Sequence, residues 1–322
     1  MSNETTSPSN INDPYRHVGL VLNPDGTLTR LRNIPNTAPS LGTSVLTKDL
    51  TINPSNKTWL RLFLPRTALS SNPNKLPLIV FFHGSGFIVA SASSTMFHDL
   101  CVHIAETVNA VVASVDYRLA PEHRLPAAYD DATEALAWIR TSDEEWLTRH
   151  VDYSSCFLMG NSAGATIAYF AGLRAAEKAR DLEPLKIKGL IVRQPFFGGS
   201  ERTESELRLE NDANLPLCVT DMLWELALPR GVGKEHEYCN VKGGSEKLEM
   251  VKELGWRVLV SANEGDPMVD RAKELVALLK EKGVKVVCDF DEEGYHGVEH
   301  SDPSKEKRLL RVLKDFVYSS HA

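Results

Sequence analysis

The sequence has no long apolar run: nowhere in its 322 residues does it approach the ~18 consecutive apolar side chains of a membrane-spanning helix. Its first residues, MSNETTSPSNIND, carry no apolar core, so no secretory leader is expected and a cytoplasmic location is. Lysine and arginine never gather into a block, and 36 of them against 43 acidic residues leave a formal net charge of −7. That balance excludes nucleic acid and an anionic membrane surface as expected partners. The five cysteines, an odd number without a CxxC pair, fit a reducing compartment rather than a disulfide framework. Cys101 between His98 and His103 offers metal-ligand types, but Leu100, Val102 and Ile104 make the stretch read as a helix against the core. No metal or other cofactor is therefore expected. No internal repeat of about 20 to 50 residues is visible, and Ser70 to Lys75 reads as a surface turn.

What is present is alternation. Apolar strands are expected near Trp59 to Leu64, Leu76 to Phe82, Ala110 to Val115, Cys156 to Met159, Ile187 to Arg193, Arg257 to Ser261 and Val284 to Phe290. Helical patterns lie between them at Phe97 to Thr107, Ala127 to Ile139, Ala163 to Ala179, Asp270 to Lys282 and Lys305 to Val317. This is the rhythm of an α/β fold with a mostly parallel central sheet flanked by helices. A hydrophobic share of 42% supports one large domain over residues 1–322. The rhythm breaks from Phe196 to Asn240, where polar stretches surround the amphipathic segment Asp221 to Leu228. An insertion there, at the carboxyl ends of the strands, reads as a helical lid formed by about 196–240 and completed by about 1–40.

Gly160-Asn161-Ser162-Ala163-Gly164 places a serine between glycines where an apolar strand turns into a helix, the pattern of a nucleophile elbow. The pentapeptide alone is weak, and its context strengthens it. About eighty residues earlier the run LPLIVFF ends in His83-Gly84-Ser85-Gly86-Phe87, a glycine-rich loop after a strand. Such a loop exposes N–H groups, and acyl transfer needs them because each preorganised donor stabilises the oxyanion by roughly 3 to 4 kcal/mol. Ser85, Gly86 and Ala163 are the expected donors.

A serine hydroxyl needs a base, and the base needs a carboxylate to hold its tautomer. Of ten histidines, His296 in Gly294-Tyr295-His296-Gly297 follows a late strand and matches the Ser, Asp, His chain order of α/β-hydrolases. His300 is its nearest rival but reads as solvated surface. Asp266 is the preferred acid because Pro267 fixes the turn after it, whereas Asp270 reads as a helix N-cap and Glu264 competes less well.

At this point the chain resembles the plant carboxylesterases of the hormone-sensitive-lipase group. The resemblance covers nearly the whole chain and rests on HGSGF, on the segment from Val115 to Ala128 containing DYRLAPEH, on GNSAG, on GDPMVD and on GYHG. It implies an α/β-hydrolase fold, Ser162, Asp266 and His296 as a catalytic triad, and Gly84, Ser85, Gly86 and Ala163 around an oxyanion hole. Two positions depart from the usual HGGG and GDSAG. Ser85 replaces a glycine, and Asn161 replaces an acid, removing a negative charge beside the nucleophile.

The expected activity is hydrolysis of short-acyl carboxylic esters through an acyl-enzyme, with organophosphates modifying Ser162. Gibberellin receptors, which are similar, lack the histidine, and the isoflavanone dehydratase branch tends to carry threonine as nucleophile; His296 and Ser162 disfavour both. Phe87, Tyr117, Phe196, Phe197, Trp224, Met268 and Val298 are the candidate substrate-pocket residues. Oligomeric state and natural ester are not legible.

Overall fold

Strands form where the apolar runs lie. After a short antiparallel hairpin of Leu20–Leu22 (β1) and Leu28–Arg30 (β2), they are Val45–Asn53 (β3), Thr58–Pro65 (β4), Leu76–Phe82 (β5), Val111–Asp116 (β6), Val151–Asn161 (β7), Ile187–Arg193 (β8), Arg257–Asn263 (β9) and Lys285–Asp291 (β10). The computed structural model describes residues 13–319 except 32, 43 and 71–73. The expected lid residues 1–12 and the middle of the Ser70 to Lys75 turn lie outside them.

The last eight strands make one sheet in the order β10-β9-β8-β7-β5-β6-β4-β3. Only the β3–β4 and β4–β6 pairings are antiparallel, and the remaining pairs run parallel. β5 is buried at every position, as a parallel strand with neighbours on both edges and helices on both faces must be.

The helices are Pro14–His17 (α1), Thr95–Ile104 (α2), Ala127–Thr141 (α3), Glu145–His150 (α4), Ala163–Glu177 (α5), Glu204–Arg208 (α6), Leu217–Ala227 (α7), Leu248–Glu253 (α8), Val269–Glu281 (α9) and Pro303–Tyr318 (α10). They divide between two cores. Side chains of α3, α5 and α9 share the larger one, whereas Phe97, Leu100 and Ile104 of α2 meet Leu309, Leu313 and Phe316 of α10 in the smaller one behind the sheet. No helix of the described residues is long and apolar enough to cross a membrane.

The insertion after β8 contributes α6 and α7. Thr203 caps α6 through a reciprocal box with Glu206, and α1 packs against α7. His17 Nε2 lies 3.3 Å from the Asn214 carbonyl, so the N-terminal segment and the insertion meet. The stretch around Cys101 is a helix, as its apolar spacing implies. There His98 Nδ1 lies 3.1 Å from an Arg61 guanidinium nitrogen, His103 pairs with Glu306, and Cys101 is buried.

Candidate active site

The carboxyl ends of β5, β7, β8, β9 and β10 meet at one edge of the sheet, where open α/β sheets place their ligand crevice. Ser162 follows β7 as the N-cap of α5, held at φ 55° and ψ −125°, a conformation that costs a non-glycine residue of order 1–3 kcal/mol. Two glycines make the turn possible. A Cβ on Gly160 would stand 2.1 Å from the Gly164 carbonyl oxygen, and one on Gly164 would stand 2.0 Å from that of Phe82, so any side chain would push α5 off the sheet.

The loop after β9 carries Asp266, fully buried, and the loop after β10 carries His296. Asp266 Oδ2 lies 2.9 Å from His296 Nδ1, and His296 Nε2 lies 2.8 Å from Ser162 Oγ. The other carboxylate oxygen accepts the Met268 N–H at 2.8 Å, which fixes the plane of the acid. Burial alone would lower the pKa of His296, but the charge and hydrogen bond of Asp266, with Glu299 adding to them, raise it above its ordinary value. An imidazole so placed can take the hydroxyl proton and hold it as a stabilised cation.

The HGSGF loop approaches from β5. Ser85, Gly86 and Phe87 adopt φ of 74°, 65° and 66° in succession, which turns the backbone toward the elbow. A Cβ at Gly84 would lie 3.2 Å from Ser162 Cβ, so loop and elbow touch. The N–H groups of Ser85, Gly86 and Ala163 make no backbone hydrogen bond outside helices and strands among the described residues, and Ser85 and Gly86 line the same cavity as Ser162.

The DYRLAPEH segment proves to be the scaffold of this loop. Asp116 accepts the Ala92 N–H at 2.8 Å, and the Ala120 N–H donates to the Phe87 carbonyl at 2.9 Å. Tyr117 stacks on His83 with ring centres 4.3 Å apart and donates its hydroxyl to the His83 carbonyl at 2.8 Å. Burial pushes the His83 pKa down to about 4, so that ring is neutral packing. Glu122 binds Arg30 of β2.

Beneath the histidine loop lies a buried polar network that the sequence reading did not anticipate. Arg193, at the end of β8, pairs with Glu299 at 3.0 Å and donates to Asn263 Oδ1 at 2.5 Å. Burial would raise the pKa of Glu299, but Arg193 and His300 outweigh it and hold the carboxyl at about 2. Asn161 donates to Glu299 at 3.3 Å. His300, expected at the solvated surface, is instead half-buried in this corner, edge-on to Phe97 with ring centres 5.3 Å apart. Asp270 is not the cap of α9, whose N-cap is Met268; its carboxylate accepts the Ser205 N–H at 2.7 Å and so fastens α6 to α9. Glu264 faces solvent and pairs with Lys273.

A cavity of about 320 Å³ opens over Ser162 and His296. Val18, Leu20 and Ile34 wall it from the N-terminal segment, and Leu215 and Leu223 from the insertion. Of the seven expected pocket residues, Phe196 lines it. Phe87 and Trp224 are packed behind, with Trp224 stacked on Phe196 at 5.1 Å and Phe87 5.5 Å from Trp224. Tyr117 lies under His83, Phe197 packs on Tyr169, and Met268 and Val298 are buried; none of these lines the cavity. Strand ends were the missed signal: in a parallel sheet a polar residue closing a strand, such as Arg193 or Asn263, lies under the loops that frame the ligand crevice. Nothing in Val18, Leu20 or Ile34 themselves points at a pocket.

Residues 79–300 match the model of a family described as having the α/β-hydrolase fold. Among curated proteins the chain is 50% identical to Carboxylesterase 20 of Arabidopsis thaliana over 98% of this chain and 99% of that one. It is 48% identical to a 3-O-acetylpapaveroxine carboxylesterase of Papaver somniferum, over 95% of this chain and 97% of the other. Its backbone is similar to that of a hyperthermophilic esterase from Pyrobaculum calidifontis, with a TM-score of 0.68, 25% identity and 84% of both chains covered. A thermostable esterase from Pseudomonas putida shares the fold at a TM-score of 0.73 and 21% identity, over 87% of this chain and 85% of that one.

Proposed function

Because the chain belongs to the plant carboxylesterases of the α/β-hydrolase family, we propose that it cleaves its esters through an acyl-enzyme on Ser162, with His296 as general base and Asp266 as the group that orients it. The hydrogen-bonded line from Asp266 through His296 to Ser162, at 2.9 and 2.8 Å, is the observation that carries this reading. Ser162 Oγ attacks the ester carbonyl and passes its proton to His296 Nε2. The Gly84 to Gly86 loop turns the N–H groups of Ser85 and Gly86 toward the oxyanion, and the Ala163 N–H completes the hole. The imidazolium then protonates the departing alcohol, and water repeats the sequence to release the acid. An organophosphate should leave one adduct on Ser162, found by intact mass and peptide mapping. Ser162→Ala should lower turnover by about three or more orders of magnitude; an adduct elsewhere, or full activity of the variant, refutes the assignment.

The acyl group is short. A Cβ on Gly86 would stand 2.7 Å from Leu223, so α7 presses on the oxyanion loop and Phe196, backed by Trp224, closes the space beside it. A relative named for a 3-O-acetyl ester fits that size. The described part of the segment about 1–40 and the insertion about 196–240 act together as the lid. On a graded p-nitrophenyl ester series kcat/KM should peak at about two to four acyl carbons and then fall, since each overpacked methylene costs about 1 to 3 kcal/mol. A rise continuing to about eight to twelve carbons, at roughly 0.8 kcal/mol per methylene, would mark an open channel instead.

A further inference from the structure

Gln194 follows β8 with a φ of 46°, a left-handed conformation that glutamine rarely adopts. Its backbone is pinned there by donation of its N–H to the Ser261 carbonyl at 2.7 Å. The side chain is buried at the wall of the cavity, and both ends of its amide bond the loop of the base. Oε1 accepts the Gly297 N–H at 2.8 Å, and Nε2 donates to the Tyr295 carbonyl at 2.9 Å. The amide therefore grips the residue before His296 and the residue after it. Nε2 also lies 3.2 Å from Asn263 Oδ1. Asn263 in turn donates to the Glu293 carbonyl at 2.8 Å, while its own carbonyl accepts the Asp266 N–H at 3.0 Å. One planar side chain thus spans the loop of the base and reaches the loop of the acid, where no regular secondary structure holds either.

We propose that Gln194 is a positioning residue: its amide sets the height of the His296 loop at which Nε2 meets Ser162 Oγ. This rests on the reading of His296 as the general base. Gln194 acts through the loop and transfers no proton.

Gln194→Met keeps the length of the side chain and removes both polar atoms. On p-nitrophenyl acetate its kcat should fall about 10- to 100-fold with KM held within about threefold, because misplacing a reacting group by about 1 Å costs on the order of 10² in rate. The groups facing His296 are Asp266 from the β9 loop, Ser162 from the elbow, Arg193 from the end of β8, and Glu299 and His300 from its own turn; the substitution leaves all of them in place. A loosened loop weakens the hold of Asp266 on the imidazole, so the acid limb of the pH–rate profile should move to lower pH. A residue that only supports the fold would lower Tm and leave kcat and the pH profile unchanged, and that result overturns the proposal. Should Gln194→Met not fold, Gln194→Glu keeps the shape and the acceptor for Gly297; wild-type kcat in that variant overturns the proposal equally. His296→Ala, measured alongside, separates the two readings: retained turnover there removes the base assignment itself, whereas an inactive His296→Ala beside a fully active Gln194→Met removes only the positioning role.

Discussion

Asp266 and Asp270 share one loop-to-helix junction, yet only Asp266 faces an imidazole. Asp266→Asn should lower kcat by about three to four orders of magnitude, since an amide no longer enforces the tautomer. Asp270→Asn should change kcat by less than about tenfold and lower Tm, because it weakens the tie from α9 to Ser205 and touches no atom of the triad. Kinetics and thermal melts of the two folded variants check this. The raised pKa of His296 sets the sign of the pH dependence. The base must be neutral, so kcat/KM should fall on acidification with a midpoint above the ordinary 6.5; a pH–rate profile measures it, and a chelator should leave it unchanged. Ser162, Asp266 and His296 were legible because glycine spacing, a proline and strand ends mark them. Gln194, Arg193 and Glu299 were not, since they work through contacts between loops that are distant in the chain. Of the aromatic residues near the motifs, Phe196 lines the cavity, whereas Phe87, Tyr117, Phe197 and Trp224 were misplaced for the opposite reason: large rings beside a site are buried in packing its walls from behind.

At the scale of elements, the junction of β7 and α5 depends on atoms that are missing. Gly164→Ala should prevent α5 from seating against the Phe82 carbonyl, giving a collapse in soluble yield or a drop in Tm of many degrees, as read by circular dichroism. β5 and β8 were legible to the residue because each carries a short apolar core, LIVFF in one and LIV in the other, between strongly polar stretches. β3 escaped notice since its outer half alternates between half-buried and exposed positions, the pattern of an edge strand with little apolar signal. β7 begins at Val151, earlier than the expected Cys156, because sheet pairing extends a strand through polar residues that propensity would leave out. α4 and α8 each span six residues, too few for a helical period to declare itself. α2 gives way to a π turn at Ala105–Asn109, which apolar spacing alone does not distinguish from a longer helix.

The whole molecule closes its cavity with the N-terminal segment and the insertion after β8, and Arg30 is the fastening of the first. Its guanidinium meets both oxygens of Glu122 at 2.8 Å and donates to the carbonyls of Ile88 and Ala120 at 2.8 and 2.9 Å. Arg30→Ala should release the wall made by Val18, Leu20 and Ile34. Acyl selectivity should then broaden, with the ratio of kcat/KM for butanoyl over octanoyl esters falling about threefold or more, while labelling of Ser162 persists; an unchanged ratio places the size limit elsewhere. The contact between Asn161 and Glu299 has a different kind of consequence. It couples two positions that lie far apart in the chain. An aspartate before the nucleophile does not fit this corner: Asn161→Asp alone would set two carboxylates against one another in a buried site, and Glu299→Gln alone would leave Arg193 without its carboxylate at a cost of about 3 to 5 kcal/mol. Made together, the two changes exchange amide and carboxylate and keep the local charge. The double variant should therefore be more stable in denaturant titrations than the sum of the singles by about 1 to 3 kcal/mol, so that either position constrains which residue the other can accept.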